Sequence, residues 1–437
     1  MVRIVRYSFT MTARRILHAD ADAFFVAVAR MADPDGAGKS PLLIVGGRPG
    51  SRGVVCSASY ETRAFGVRSA MPISQALRLC PDAMCVPVPR QACGATSKAI
   101  AGVLARYTPL VEGASIDEWY LDLSGTEALN GGETLDATAR RIRAAVHRET
   151  GMWISIGGGS SKLIAKLAAE RAKPRPGTGA TGVRVVDGGG EGEFMKEFDL
   201  AELPGVGPKL QSKLAALGME RVVDVLPHER ATLARWIGRR PAEWLWARAR
   251  GIHTTPVEAR APAKQISRET TFDRDVKESA AIGAVLRTLS ATVAADLRGD
   301  KLGARTVTVK LKDSDFTSRH ASRTLREPVE SDRAVAEIAV ALLAKLRAAR
   351  MTPARLVGVA LGNFMPARDA EQLGLFGAAG AAGGAAMGAS ARLADLAGPM
   401  TTVPVERPQD RAVSRAVDRV RERFGSDAIR TGAGRRA

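Results

Sequence analysis

Ser115-Ile116-Asp117-Glu118-Trp119-Tyr120-Leu121-Asp122 sets two carboxylates side by side at the head of an apolar, β-prone run. In a regular strand neighbouring side chains point to opposite faces, so Asp117 and Glu118 serve one site only at a hairpin tip, where alternation breaks. Val111–Ala114 and Trp119–Leu123 are the candidate arms. A second acidic stretch, His18-Ala19-Asp20-Ala21-Asp22-Ala23-Phe24-Phe25, closes a strand-like segment, Arg15–Asp20, and runs into a helix start at Ala23–Met31. With Asp20 on a strand beside the hairpin, three carboxylates meet around a pair of Mg2+ ions, the hard-oxygen arrangement that in-line phosphoryl transfer uses. Alone, D-x-D and D-E are more often caps, turns or solvated faces than catalytic groups, so their surroundings decide.

Further out, Leu42–Val45 and Gly53–Ser57 are strand-like, separated by the turn-rich Gly46-Gly47-Arg48-Pro49-Gly50. Leu135, Ala139, Ile142 and Val146 recur at helical spacing over Leu135–Thr150, with Gly151 as a stop. Met152–Ile156 is a strand leading through Gly157-Gly158-Gly159 into a helix that Ser160 or Ser161 caps, ending before Lys173-Pro174. The glycine-rich Gly177–Gly192 stretch marks a boundary, a small helical unit follows from Phe194 to about Glu258, and Pro256–Pro262 is linker-like. From Lys264 to Phe364 strands and helices alternate again: Thr306–Lys312 has strict period two and Arg333–Arg350 is amphipathic. Ala378–Met400 is a Gly/Ala-rich linker, and no internal repeats are visible.

A chain of 437 residues implies two to four domains. Hydrophobic content of 45% with 25% charged residues is globular, not disordered. Lys and Arg outnumber Asp and Glu by 64 to 46, a net charge of +18 that suits a polyanionic partner. Residues 181–259 are balanced at 11 basic and 11 acidic side chains, whereas 260–368 hold 20 against 12, which makes the second α/β unit the better candidate for gripping a phosphate backbone. Cys56, Cys80, Cys85 and Cys93 lack C-x-x-C spacing or neighbouring histidines and read as reduced thiols of a cytoplasmic protein, not a zinc site. No run of 18 apolar residues suggests a membrane span, and Met1–Ala13 lacks the apolar core of a signal peptide; Met11 is an alternative start.

Asp20–Phe25, then Ala58–Pro72 (A-S-Y-E-T-R-A-F-G-V-R-S-A-M-P), then Ser115–Asp122 resemble the three signature blocks of the Y-family DNA polymerases, DinB (polymerase IV-like) type, in order and at family-like spacing. Gly157–Pro174, Leu203–Lys209 and Gln265–Asp273 extend the resemblance over roughly residues 14–376. It implies an α+β multidomain right hand: palm at 14–23 and 90–179, small fingers at 24–89, a helical thumb with a helix-hairpin-helix at 180–259 and an α/β little finger at 264–367. By the same resemblance Asp20, Asp117 and Glu118, with the backbone carbonyl of Ala21, hold two Mg2+ ions. Phe25 is the steric gate against a 2′-hydroxyl, and Tyr60, Arg63 and Lys173 hold the incoming deoxynucleoside triphosphate. Trp119 stands where the family commonly has a small residue, Thr62 where Ala is usual, and Ala21 and Ala23 where bulkier residues often occur; none removes a ligand.

Primer–template DNA is the expected polyanion. Gly205, Gly207 and Lys209 sit in a hairpin whose backbone amides suit a phosphate at a helix N-terminus. Lys310 and Lys312 share one face of their strand, and Arg319 and Arg323 are expected to extend it. Glu371–Gly377 resembles a sliding-clamp peptide, with Gln372, Leu373, Leu375 and Phe376 as the contact residues. Residues 378–437 form a flexible tail with one amphipathic helix: Val413, Val417, Val420 and Phe424 make a stripe after Asp410, a candidate cap, and before Gly425, a stop. The stripe suits docking on the chain itself or on a partner. The expected protein is a monomeric, error-prone translesion polymerase without a proofreading exonuclease. The rivals are an inactive clamp-binding scaffold of the same fold, a palm-fold nucleotidyl cyclase and a helix-hairpin-helix nuclease.

Overall fold

The strand Ile16–Ala21 is hydrogen-bonded on both sides at the centre of a five-stranded sheet. The order is Val111–Gly113, Glu118–Asp122, Ile16–Ala21, Ile154–Gly159 and Val183–Val185, antiparallel except for the last pair. The computed structural model describes residues 14–174, 178–259, 263–367, 406–425 and 428–429. Alternation divides the sheet into two faces. Leu17, Ala19, Trp119 and Leu121 bury against the helices Arg90–Leu104 and Leu135–Thr150, so Trp119 belongs to the palm core and not to the face that carries Glu118. Ile16, His18 and Asp20 lie on the other face, with the helix Lys162–Ala172.

Leu135–Thr150 is the helix expected: the Thr134 hydroxyl accepts from the Ala137 N–H, and Gly151 ends it at φ +70°. The glycine run differs from expectation. The strand extends through all three glycines, Ile154–Gly159, paired with Ile16–Ala21; residue 157 must be glycine, since a Cβ there would sit 2.0 Å from Ala169 N and 2.1 Å from Ala165 O. Glycine here lets a helix lie directly on a strand. Ser161 is the cap, accepting from Ile164 N–H.

The fingers form a three-stranded sheet in the order Val55–Ala58, Leu43–Gly46, Met84–Val86, the first pair antiparallel and the second parallel. Thr62 is fully buried, its hydroxyl 2.8 Å from Ser59 Oγ, so the fingers satisfy this extra polar group internally. In the thumb, Phe194, Phe198, Leu214, Leu233 and Leu245 pack in one cluster with Leu163, Ile164 and Leu167 from Lys162–Ala172. That helix therefore serves two cores.

By its contacts the chain divides into Met1–Ala261 and Pro262–Ala437. The second unit is a wholly antiparallel sheet in the order Ser318–Val329, Leu302–Asp313, Ala354–Pro366, Gln265–Val276. Val307, Val309 and Leu311 face the helices Ser279–Gly299 and Asp332–Ala349, as period two predicts. Ser279–Gly299 has mean hydropathy 1.4, enough by composition to cross a membrane, but its Ile282, Leu286, Val293 and Leu297 bury in this core.

The tail helix, Pro408–Phe424, docks on this same unit. Its contacts are largely polar: Arg298 donates to both oxygens of Asp418 (2.6 and 2.9 Å), Arg333 to Asp410 (3.1 Å), Arg415 pairs with Glu330 (2.8 Å), and the Asp332 N–H donates to the buried Ser414 hydroxyl (3.1 Å). Just before it, Glu406 accepts the N–H groups of Glu330 (2.9 Å) and Ser331 (2.5 Å). The apolar stripe is split: Val417 is buried, while Val413 and Phe424 are 60% and 67% exposed. Asp410 is the third helical residue, not the one before the helix, and reaches back to accept the Arg407 N–H. Gly425, at φ +94°, ends the helix as expected.

Candidate active site

The hairpin forms as its sequence requires. Val111–Gly113 pairs antiparallel with Glu118–Asp122, and the tip is closed by Ala114 N–H and Ser115 N–H donating to the Glu118 carbonyl. Asp117 therefore sits on the tip, where alternation is interrupted, and Glu118 opens the strand directly opposite Asp20. The Ala21 N–H donates to the Asp117 carbonyl at 2.9 Å, which fixes the tip to the central strand. Asp20, Ala21, Asp117 and Glu118 line one cavity of about 270 Å³ together with Phe25, Tyr60, Arg63 and Lys173. Residues from four separated stretches of sequence thus share one pocket.

Within it the carboxylates lie against ammonium groups. Lys173 Nζ is 2.9 Å from Asp20 and 2.7 Å from Glu170, and Lys166 Nζ is 2.7 Å from Glu118. The Asp117 carboxylate accepts from the Ser115 hydroxyl. Burial pushes the Asp20 carboxyl up to about 6; Lys173 opposes this, and the negative charges of Glu118 and Glu170 add to it. Glu118 is drawn the other way, to about 2, by His18 (Nε2 3.8 Å away) and by the Lys166 ammonium, against burial. His18 is buried, tilted against Tyr120 at 4.6 Å, and burial lowers its own pKa. Burial also works against the charge on Lys173, yet Asp20 and Glu170 raise its pKa.

Among the described residues no three His, Cys, Asp or Glu side chains already converge on one point. The donor set nevertheless fits a hard divalent cation: three carboxylates line one pocket, and the most buried of them has a raised proton affinity that a cation would relieve.

Phe25 follows a tight corner. Ala23 takes a left-handed conformation, φ +46°, before the helix Phe24–Ala32, an uncommon state for a residue with a Cβ. Phe24 turns into the core, whereas the Phe25 ring, edge-on to Phe24 at 5.4 Å, remains on the pocket wall. Asp22, the second acid of D-x-D, does not line that pocket; it accepts from Ser155 Oγ at 2.7 Å and ties the corner to the neighbouring strand. Arg63 donates to the Ala58 carbonyl, and its guanidinium stacks over the Tyr60 ring.

Lys166 and Glu170 escaped the sequence reading. The signal was available: Lys166 precedes Lys173 by seven residues, two helical turns, so both can reach the same side.

Elsewhere, Gly205 adopts φ +106° with Trp244 packed where a Cβ would stand (2.6 Å), and Gly207 precedes the helix Pro208–Ala215, with Lys209 exposed in its first turn. Lys310 and Lys312 share the open face of their sheet; Lys310 pairs with Glu269 at 2.8 Å. Arg319 and Arg323 do not extend that face. They pair with Leu311 and Val307, which places them on the helix side of the sheet, and Arg319 donates to both oxygens of the buried Asp313. The expectation counted charge without register. Gln372, Leu373, Leu375 and Phe376 lie outside the described residues.

Residues 19–170 match the model of the impB/mucB/samB family, and residues 263–375 match that family's C-terminal domain. The chain is 36% identical over 354 residues to a DNA polymerase IV of Dehalococcoides mccartyi (strain CBDB1), covering 81% of this chain and 88% of that one. It is 38% identical to a DNA polymerase IV of Xanthomonas axonopodis pv. citri (strain 306), covering 83% and 98%. With a DNA polymerase IV of Desulfatibacillum aliphaticivorans it is 34% identical over 97% of each chain. Among solved structures, a Y-family DNA polymerase chimera of Dbh and Dpo4 superposes with a TM-score of 0.71 at 25% identity, covering 80% of this chain and 99% of that one. An insertion ternary complex of Dbh DNA polymerase gives a TM-score of 0.57 at 26% identity, covering 80% and 99%. A palm, fingers and thumb with an acidic pocket, followed in the chain by a little-finger unit, define a template-copying nucleotidyltransferase. The chain belongs to the impB/mucB/samB family, the Y-family DNA polymerases, whose members are metal-dependent enzymes.

Proposed function

We propose that the chain is a translesion DNA polymerase that extends a primer 3′ end on a template strand and releases pyrophosphate. The observation that carries this is the one pocket that Asp20, Asp117 and Glu118 line together with Tyr60, Arg63, Lys173 and Phe25. The three carboxylates and the Ala21 carbonyl would hold two Mg2+ ions, which would supply charge neutralisation for phosphoryl transfer. Arg63 and Lys173 bind the β- and γ-phosphates, and Tyr60, 43% exposed, closes over them as a hydrogen-bond donor. The flat Phe25 ring excludes a 2′-hydroxyl. Cys56, Ser57 and Ser69 complete the wall with small side chains, which press little on the shape of a base pair and so tolerate damaged or mismatched ones.

Gly205, Gly207 and Lys209 hold the duplex backbone through amides and charge, and Lys310 and Lys312 hold it from the second unit. Gln372, Leu373, Leu375 and Phe376 dock on the sliding clamp. The protein acts as a monomer in the cytoplasm, without proofreading. Primer extension with Mg2+ and each deoxynucleotide tests the reading. Asp117→Ala or Glu118→Ala should abolish extension and leave primer–template affinity largely intact, because the duplex is held elsewhere; substantial extension by either variant refutes the metal assignment.

A further inference from the structure

The face of Lys162–Ala172 that meets the palm sheet carries a row of ammonium groups, continued by Lys173 just beyond the helix. The row is not uniform. Lys162 reaches both oxygens of Glu112, at 2.6 and 2.7 Å, and the Pro256 carbonyl at 3.5 Å. Lys173 bridges Asp20 and Glu170. Lys166, between them, pairs with Glu118 as its single acid partner among the described residues, 2.7 Å from Oε1. Two of the lysines are held at more than one point; the one on the hairpin carboxylate is held at one.

We propose that Lys166 is an exchangeable counter-ion for Glu118: its ammonium holds the carboxylate until a divalent cation takes it, and thereby sets the metal affinity of the site. This rests on the reading of Glu118 as a metal ligand. One Glu118 oxygen is taken by Lys166 while the other faces the buried His18 at 3.8 Å, so a cation entering the pocket meets a carboxylate whose charge is already engaged. Two cations on one carboxylate repel at contact distances, and the monovalent one on a flexible four-carbon stem is the one able to leave. It has room to do so. A second cleft of about 180 Å³, bounded by Lys166, Glu170, Phe198, Glu202 and Asp20, opens between the helix and the thumb, and its two glutamates, paired with Lys173 and Arg171, keep it acidic.

The test is metal binding by the full chain without DNA or nucleotide, titrating Mn2+ and reading the free ion by electron paramagnetic resonance. Lys166→Met removes the competing charge and should tighten the first Mn2+ by roughly tenfold, from the Coulomb energy of a neighbouring unit charge in a wet pocket. Lys166→Arg, which keeps the charge, should bind close to the unsubstituted protein. In a Glu118→Gln background Lys166→Met should add nothing, because the contact it relieves is gone. Should Lys166→Met melt early, Lys166→Gln carries the same expectation. Unchanged or weaker Mn2+ binding by the neutral variants overturns the inference, as does an equal gain in the Glu118→Gln background. If Glu118→Gln itself binds Mn2+ as tightly as the unsubstituted protein, the metal reading of Glu118 falls and this inference with it. Loss of binding in Glu118→Gln with no gain in Lys166→Met sinks the inference alone.

Discussion

Asp418→Ala should release the tail helix from the second unit without unfolding that unit. The Arg298 guanidinium is 5% exposed and makes two charge-assisted bonds to Asp418, at 2.6 and 2.9 Å. Such bonds contribute about 1.5–3 kcal/mol each where both ends are dry. Asp418 is 30% exposed, and Arg298 retains Asp332 at 2.8 Å and the Glu330 carbonyl at 2.6 Å, so the guanidinium is not orphaned. A net loss of about 2 kcal/mol follows, roughly a thirtyfold fall in the ratio of docked to undocked helix. Trypsin reads this ratio directly, because Arg411, Arg415 and Arg419 lie within the helix and cleavage follows the opened population when closing is fast. Cleavage there should accelerate about thirtyfold while the sheet of the second unit stays intact, and added salt should mimic part of the effect by screening the partly exposed pairs. Val413→Ala, on the exposed side, should change nothing. Equal cleavage rates for Asp418→Ala, Val413→Ala and the unsubstituted chain would show that Glu406 and Val417 hold the helix and the ionic account is wrong.

Phe25→Ala should admit ribonucleotides and keep much of the deoxynucleotide activity; an unchanged ratio of the two in single-nucleotide extension would make Phe25 a core residue. The raised Asp20 carboxyl predicts a pH dependence. In the folded, metal-free chain its pKa is raised from 3.8 to about 6, so the stability this group contributes is present below about 4 and lost as pH rises through about 6. A cation must displace that proton below about 6, so Mn2+ affinity should fall up to tenfold per pH unit there. Asp20→Asn should flatten the dependence, and a flat profile in the unsubstituted protein would refute it. Replacing Leu375 and Phe376 with Ala should leave distributive synthesis unchanged and remove stimulation by a loaded clamp; retained stimulation would show that the clamp is held elsewhere.

The hairpin carrying Asp117 and Glu118 was legible because two adjacent acids cannot share a face of a strand, and the structure interrupts the strand where that argument requires. Leu135–Thr150 was legible because both its period and its caps are local. What escaped was what depends on a neighbour. The strand leading to Gly157 reads as stopping at Ile156, because three consecutive glycines show no strand signal until a helix is known to lie on them. Arg319 and Arg323 read as part of a basic face until strand pairing sets them beside Leu311 and Val307. The tail stripe read as a docking surface, whereas the docked side is chosen by Arg298 and Arg333, more than 70 residues earlier in the chain. Lys166 shares a helical side with Lys173 by its spacing, but its partner Glu118 is visible only once the strands are paired.

The helix Lys162–Ala172 bears on how such enzymes can be recombined. Its Leu163, Ile164 and Leu167 complete the hydrophobic cluster of the thumb, while its backbone rests on Gly157 and its lysines meet the palm acids. A swap that cuts the chain where the thumb begins in sequence would leave Leu163, Ile164, Leu167 and Ala168 of that cluster behind and set a foreign surface against them. A thumb transplanted with this helix would instead carry off two lysines and need a glycine-bearing strand in its host. The seam between modules in this fold runs lengthwise through one helix, so exchange by simple cutting disturbs catalytic geometry from a distance, even where every pocket residue is kept.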